Sequence, residues 1–259
     1  MGLVLRFVLL AVLFLVVSCG GPEVRDPQPL VVGSDLSNPP FGMFDDVPSG
    51  FEVDLCRALA ESLGRELRYQ RLPFETLIPA VVDGRIDIAC ATIGVTSERR
   101  EFVAFTEPYC RTSIAVLVEA WPRGPNSREE LRGRPVYAAA GTTSERAVRH
   151  HLPEVSGVFD AKGATGIDLL LRGEVDAVVM DGPDAYDLAT GDPDRFRILV
   201  PCLDVEEYAI AVSSDHPELL RQLDEALDEL RSRGRIAALL EAHGIVLDAT
   251  AAVGEPAPP

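Results

Sequence analysis

Two α/β units in series are what the amino-acid sequence predicts, and three observations predict them. Short apolar segments alternate with helical periods from residue 30 to residue 91. The pattern then changes to extended segments, and a second alternation begins near residue 135. A β-α-β order implies parallel strands covered by helices, and the chain length suits two units of about a hundred residues each.

The elements follow in order. Leu30 to Gly33 is a short apolar strand, and Phe51 to Leu63 carries Val53, Leu55, Ala58, Leu59 and Leu63 at helical period before Gly64 closes it. Leu67 to Leu72 reads as a strand, Phe74 to Val82 as a short helix, and Asp83-Gly84-Arg85 as a turn into the strand Ile86 to Ala91. Phe102 to Tyr109 is extended and Ser113 to Val118 is a strand. The second series has strands at Pro135 to Ala139, Gly157 to Asp160 and Val175 to Met180. Its helices start at Thr143, Ala164 and Pro183. Tyr208 to Val212 is a strand, and helices Pro217 to Arg231 and Arg235 to Ala242 follow, broken near Gly234.

The formal charge of −17 argues against nucleic acid as a partner, because phosphate binding needs a basic surface. At the N-terminus, Arg6 precedes an unbroken apolar run of 11 residues, Phe7 to Val17. That run is too short to span a bilayer as a helix, yet it fits a secretory signal. It stops at Val17-Ser18-Cys19-Gly20, which resembles a bacterial lipobox, with Cys19 the acylated first residue of the mature chain. Residues 1–18 are therefore expected to be a lipoprotein signal peptide, 19–29 a Pro/Gly-rich tether, and 249–259 a flexible tail. The expected location is outside the cytoplasm, with the protein lipid-anchored on the outer face of the cell membrane. Cys56, Cys90, Cys110 and Cys202 remain; four thiols allow three pairings, and their spacing is not that of a zinc site.

No nucleotide-binding, zinc-protease or serine-hydrolase motif is present. His150, His151, His216 and His243 lie in charged contexts and read as solvated surface residues. No metal site and no cofactor is expected. Three features could hold a charged ligand. Thr96-Ser97-Glu98-Arg99 and Gly141-Thr142-Thr143-Ser144-Glu145 are helix starts, the second with capping-box spacing between Thr142 and Glu145. Asp181 ends an apolar strand, where ligands of open α/β sheets gather. Each feature alone is equally a capped helix or a turn aspartate.

Their context decides between these readings. Asn38-Pro39-Pro40-Phe41 comes first, then Gly50-Phe51-Glu52-Val53-Asp54-Leu55, Phe74 through Ala80, and Gly84-Arg85-Ile86-Asp87-Ile88. Thr96 to Arg99, Phe105-Thr106-Glu107-Pro108-Tyr109, Gly141 to Ser144, and Val175 through Asp181 continue in register. Over about residues 30–245 the chain resembles the family 3 polar-amino-acid-binding solute receptors of ABC importers.

The resemblance implies a two-lobed periplasmic-binding-protein-like fold of type II, each lobe a mainly parallel sheet flanked by helices. Lobe 1 would comprise residues 30–109 and 205–248, lobe 2 residues 110–204, joined by two hinge segments. It further implies a monomeric, non-enzymatic receptor that delivers a small zwitterion to importer permease subunits. Arg99 would take the α-carboxylate, Thr143 would add a backbone N–H with Thr142 alongside, and Asp181 would accept from the α-ammonium. Phe74 would wall the ligand side chain, and Asp35 would meet its far end. Three positions depart from the family pattern. Asn38 replaces a common aromatic, Thr92 a common glycine, and Gly94 the usual Ser or Thr whose hydroxyl helps hold the ammonium. Cys56 and Cys90 match a disulfide pair of some members; a Cys110–Cys202 pairing stays open. Asp35 repels a second carboxylate, so a polar neutral or cationic amino acid is the expected ligand. The competing expectations are a sensor or assembly subunit with a weak or atypical ligand, and an exported enzyme like cyclohexadienyl dehydratase.

Overall fold

The computed structural model describes residues 28–245. The expected signal peptide, the Cys19 anchor, residues 19–27 of the tether and the expected tail lie outside them. β1 (Leu30–Ser34) is an apolar interior strand of one five-stranded sheet. A small antiparallel sheet follows, formed by β2 (Ser37–Asn38), β3 (Gly42–Asp45) and β4 (Val47–Ser49). Sequence periodicity does not reveal it, because strands this short carry almost no alternation. α1 (Phe51–Ser62) starts after Gly50, whose φ is 113° and whose missing Cβ would lie 2.5 Å from the Phe41 carbonyl oxygen. A side chain there would be strained and would clash. The Phe51 and Glu52 N–H groups donate to the Pro40 and Phe41 carbonyls at 3.0 and 2.8 Å, which seats the helix start on the preceding turn.

β5 (Leu67–Arg71) pairs parallel with one side of β1. A 3-10 turn at Phe74–Thr76 leads into α2 (Leu77–Val82), and β6 (Ile88–Ala89) pairs parallel with the other side of β1. α3 (Ser97–Arg100) is a single turn, and β7 (Ala104–Phe105) lies at the sheet edge. The chain then enters a second sheet through β8 (Cys110–Glu119). There follow β9 (Pro135–Tyr137), α4 (Thr143–His151), β10 (Ser156–Val158), α5 (Gly166–Leu171), β11 (Ala177–Asp181), α6 (Gly182–Gly191) and β12 (Phe196–Tyr208). β9, β10 and β11 run parallel, β8 runs antiparallel to β11, and β12 runs antiparallel to β8, in the order β10-β9-β11-β8-β12. β13 (Ala211–Val212) returns to the first sheet, completing the order β5-β1-β6-β13-β7. α7 (Pro217–Ser232) and α8 (Arg235–Ala242), separated by Gly234, pack against α1.

β12 is the long element that sequence reasoning passes over. Pro201, the acidic Asp204, Glu206 and Glu207, and a register break between Leu199 and Asp204 hide its alternation. Pairing with the buried β8 overrides this local pattern: Glu206 sits opposite Thr112, Glu207 opposite Arg111, and Tyr208 opposite Cys110. These two strands carry the chain between the sheets.

Each five-stranded sheet is covered on both faces by an apolar cluster. Leu30, Phe51, Leu55, Tyr208 and Leu223 lie on one face of the first sheet; Leu77, Val81, Ile86 and Ile93 lie on the other. Burial of each such side chain contributes roughly 1.5–3 kcal/mol. Cys56, Cys90, Cys110 and Cys202 are all buried free thiols. The bridge expected between Cys56 and Cys90 is thus not formed here, although both thiols lie in the same core cluster. Cys110 and Cys202 fall in different clusters and are not paired. His243 is not the solvated residue its sequence context suggests: its Nε2 lies 2.9 Å from an Asp54 oxygen and ties the end of α8 to α1.

Candidate functional site

A cleft of about 540 Å³ lies between the two sheets. Asp35, Asn38, Phe74, Thr92, Arg99, Thr142, Thr143 and Asp181 all line it; Gly94 is buried just behind. The cleft gathers the carboxyl ends of β1, β9 and β11, where loops and helix starts present polar groups.

Arg99 stands on α3. Thr96 caps that turn, its Oγ1 accepting the Arg99 N–H at 3.1 Å. The guanidinium donates through Nη1 to the Gly94 carbonyl at 2.7 Å and through Nη2 to the Gly141 carbonyl at 3.2 Å, one on each side of the cleft. Its Cζ lies 5.4 Å from the Phe74 ring centroid, a cation–π contact. The remaining N–H donors of its fork suit a carboxylate.

The opposite wall is the N-terminus of α4. The Thr142 side chain accepts the Glu145 N–H at 3.3 Å and donates to the Ala139 carbonyl at 2.6 Å. Glu145 reaches back to the Gly141 N–H at 2.8 Å, one residue short of a reciprocal capping box with Thr142. First-turn N–H groups of a helix lack intrahelical acceptors, so this wall offers donors to an anion.

Asp181 occupies the N-cap position of α6, yet its side chain makes no cap hydrogen bond. It accepts instead from the Tyr208 hydroxyl. Burial raises its pKa, while the Tyr208 hydrogen bond and Arg99 oppose the rise. Asp184, which sequence reasoning did not single out, also lines the cleft. Burial, then Asp181 and Asp187, push it up to about 7. Burial lowers the Arg99 pKa, and Glu206 opposes that most.

At the other end Asp35 accepts from the Ser37 hydroxyl, and its backbone carbonyl accepts from Arg71 at 3.2 Å. Asn38 donates to Thr92 Oγ1 at 3.1 Å. Thr92 has φ of 45°, the left-handed region that a glycine would occupy without strain. Its N–H is held by the buried Glu52 at 2.6 Å, and Glu52 also accepts from the Tyr109 hydroxyl. Burial, opposed by those two hydrogen bonds, pushes Glu52 up to about 7. Glu52 and Glu206 give no local sequence signal beyond being carboxylates at otherwise apolar positions of α1 and β12.

Among the described residues that line it, the cleft therefore sets one cation, Arg99, and a set of helix-end donors against the carboxyl groups of Asp35, Glu75, Asp181 and Asp184. No group of three or more His, Cys, Asp or Glu side chains suited to a metal ion occurs among the described residues.

Comparison with known proteins finds a family model that matches most of the chain. The family model of the bacterial extracellular solute-binding proteins, family 3, matches residues 30–244. The L-cystine-binding protein of Escherichia coli is 26% identical over 222 residues, covering 85% of this chain and 84% of that protein. An L-arginine-binding protein of Pseudomonas aeruginosa is 27% identical over 227 residues, covering 83% and 87% respectively. A solved structure of an ancestral arginine-binding protein bound to arginine aligns with a TM-score of 0.75 at 30% identity, covering 84% of this chain and 99% of that one.

Proposed function

This chain belongs to the bacterial extracellular solute-binding proteins, family 3, and from that premise we propose that it captures a free amino acid between its two sheets for an ABC importer. The observation that carries the reading is the opposition of Arg99 and Asp181 across one cleft, a cation for the α-carboxylate and an anion for the α-ammonium. A zwitterion bridging the two walls makes contacts that exist only in the closed form, so binding favours closure. Residues 30–109 with 205–248 act as one lobe and 110–204 as the other, with β8 and β12 as the crossings.

The ligand is polar neutral or cationic. Asp35, Asp181 and Asp184 against Arg99, the one cation among the described lining residues, support this, as do relatives named for L-cystine and arginine. Those relatives are binding proteins, which supports a receptor over an enzyme. The receptor works as a monomer, held by a lipid on Cys19 at the outer face of the cell membrane. In that oxidising setting Cys56 and Cys90 close into a disulfide.

A thermal-shift screen of amino acids, followed by calorimetry, tests the reading. Arginine, lysine, glutamine or asparagine should raise the melting temperature in a saturable way. A flat response to every amino acid overturns it. Cys19→Ser should release the protein from the membrane, since the two chains of a diacylglyceryl group are lost; full retention overturns the anchor.

A further inference from the structure

Gly94 and Glu206 fit together in a way that neither residue explains alone. A Cβ placed on Gly94 would lie 2.0 Å from Glu206 Oε1, 2.9 Å from Glu206 Cδ and 2.8 Å from Thr143 Cγ2. The Glu206 carboxyl therefore fills the volume that a side chain at position 94 needs. Glu206 sits on β12 opposite Thr112, where the two crossing strands leave the first sheet, and it is only 5% exposed. Its Oε1 accepts the hydroxyl of Thr143, a cleft-lining residue. Its Oε2 is buried without any hydrogen-bond partner.

A carboxyl that served only to brace Thr143 to the hinge strand would be expected to have both oxygens satisfied, because an orphaned buried acceptor is costly. Glu206 lies behind the cleft lining against Thr143, and two of the charged groups around it, Arg99 and Asp181, line the cleft. Arg99 and Arg146 are the cations that face it, Asp181 is the neighbouring carboxylate, and the Tyr208 hydroxyl is committed to Asp181. Cys110, on the paired strand, lies within its field. What this corner of the cleft lacks is a hydrogen-bond partner for Oε2.

We propose that Glu206 is a specificity-determining residue of the cleft, which takes the place of a side chain at position 94 and holds the ligand's ammonium together with Asp181. The inference rests on the amino-acid-receptor reading and names a residue of that site. It also explains how Gly94 is compatible with ammonium binding: a hydroxyl at 94 would be a neutral acceptor, and Glu206 supplies an anionic one from the hinge. Burial, then Asp181, raise the Glu206 pKa to about 8, against the Thr143 hydrogen bond, Arg99 and Arg146. The free protein then holds a proton on Glu206 near neutral pH. An arriving ammonium displaces it, so binding releases a proton and tightens as pH rises through this range.

The test is calorimetry on the mature protein with L-arginine, L-glutamine and 5-guanidinopentanoate, which is arginine without its α-ammonium. Titrations run at about pH 7 and pH 8 in buffers of different ionisation enthalpy. The upper pH lies above the range of Asp184. The wild type should release a proton on binding arginine or glutamine and bind more tightly at the higher pH. Glu206→Gln should weaken both amino acids at least about tenfold, as for a buried charge pair that loses one partner, and should abolish that proton release. It should leave the affinity for 5-guanidinopentanoate within about twofold, because no ammonium is there to miss the charge. Gly94→Ser combined with Glu206→Ala should regain part of the lost affinity.

Equal weakening of arginine and its ammonium-free analogue would make Glu206 a purely structural brace and overturn the proposal. So would a Glu206→Gln protein with wild-type affinity and proton release. If that variant does not fold, the wild type alone decides: no proton release at about pH 8 refutes the assignment. A wild-type protein that binds no amino acid overturns the receptor reading instead, and this inference with it.

Discussion

Glu52, buried in the first turn of α1, accepts the backbone N–H of Thr92 at 2.6 Å and so holds a non-glycine residue at φ of 45° on the cleft wall. The same carboxyl accepts from Tyr109 beside the second sheet's entry strand. A core residue thus sets the shape of a cleft-lining loop. Glu52→Ala should strand the Thr92 N–H and the Tyr109 hydroxyl, destabilising the protein by about 1–3 kcal/mol for each orphaned group. Chemical denaturation measures the loss; an unchanged midpoint would show that water replaces the carboxyl.

Glu52 also makes a pH prediction. Its pKa rises from an ordinary 4.5 to about 7 in the fold, with burial the leading cause. The stability contributed by its protonated form is complete below about pH 4.5 and is lost as pH climbs through 7, by at most about 3 kcal/mol. Denaturation of wild type and Glu52→Gln at several pH values isolates this contribution. The difference between them should change across that window, and a constant difference refutes the assignment.

Arg99→Ala should weaken amino-acid binding by roughly 2–5 kcal/mol, because a carboxylate enclosed in the cleft is left unpaired. Arg99→Lys should recover little of this, since an ammonium cannot hold the Gly94 and Gly141 carbonyls and a carboxylate with one planar fork. Calorimetry decides, and near-wild-type affinity in either variant overturns the corresponding claim.

Competition among arginine, lysine, glutamine, asparagine and glutamate tests the far end of the cleft. Asp35 lines it with its carboxylate tied to Ser37. Two like charges about 4 Å apart cost about 4 kcal/mol at an effective dielectric near 20. Glutamate should therefore compete worst at neutral pH, and Asp35→Asn should narrow the gap. Glutamate as the best competitor would refute the role given to Asp35.

Peptide mapping without reduction examines Cys56 and Cys90. In protein secreted under oxidising conditions they should be bridged, and reduction should destabilise it by about 3–4 kcal/mol on the chain-entropy account. Two free thiols in such a sample would refute the bridge.

The sequence by itself determined the alternation of strands and helices, the change of pattern before β8, and the two polar helix starts. It also identified Arg99, Thr142, Thr143 and Asp181 as residues that the structure gathers in one cleft. These were legible because hydrophobic period and capping chemistry act over a few neighbouring residues, and because family motifs keep their order. The tertiary structure alone decided the rest. β12 exists because β8 pairs with it along most of its length, overriding Pro201 and an acidic run. Asp181 turns to Tyr208 instead of capping α6, and Thr92 holds a left-handed conformation because Glu52 reaches it from a distant helix. Glu206 faces Gly94 across more than a hundred residues of chain. Such pairings depend on which segments burial brings side by side, and a local window of sequence carries no record of that.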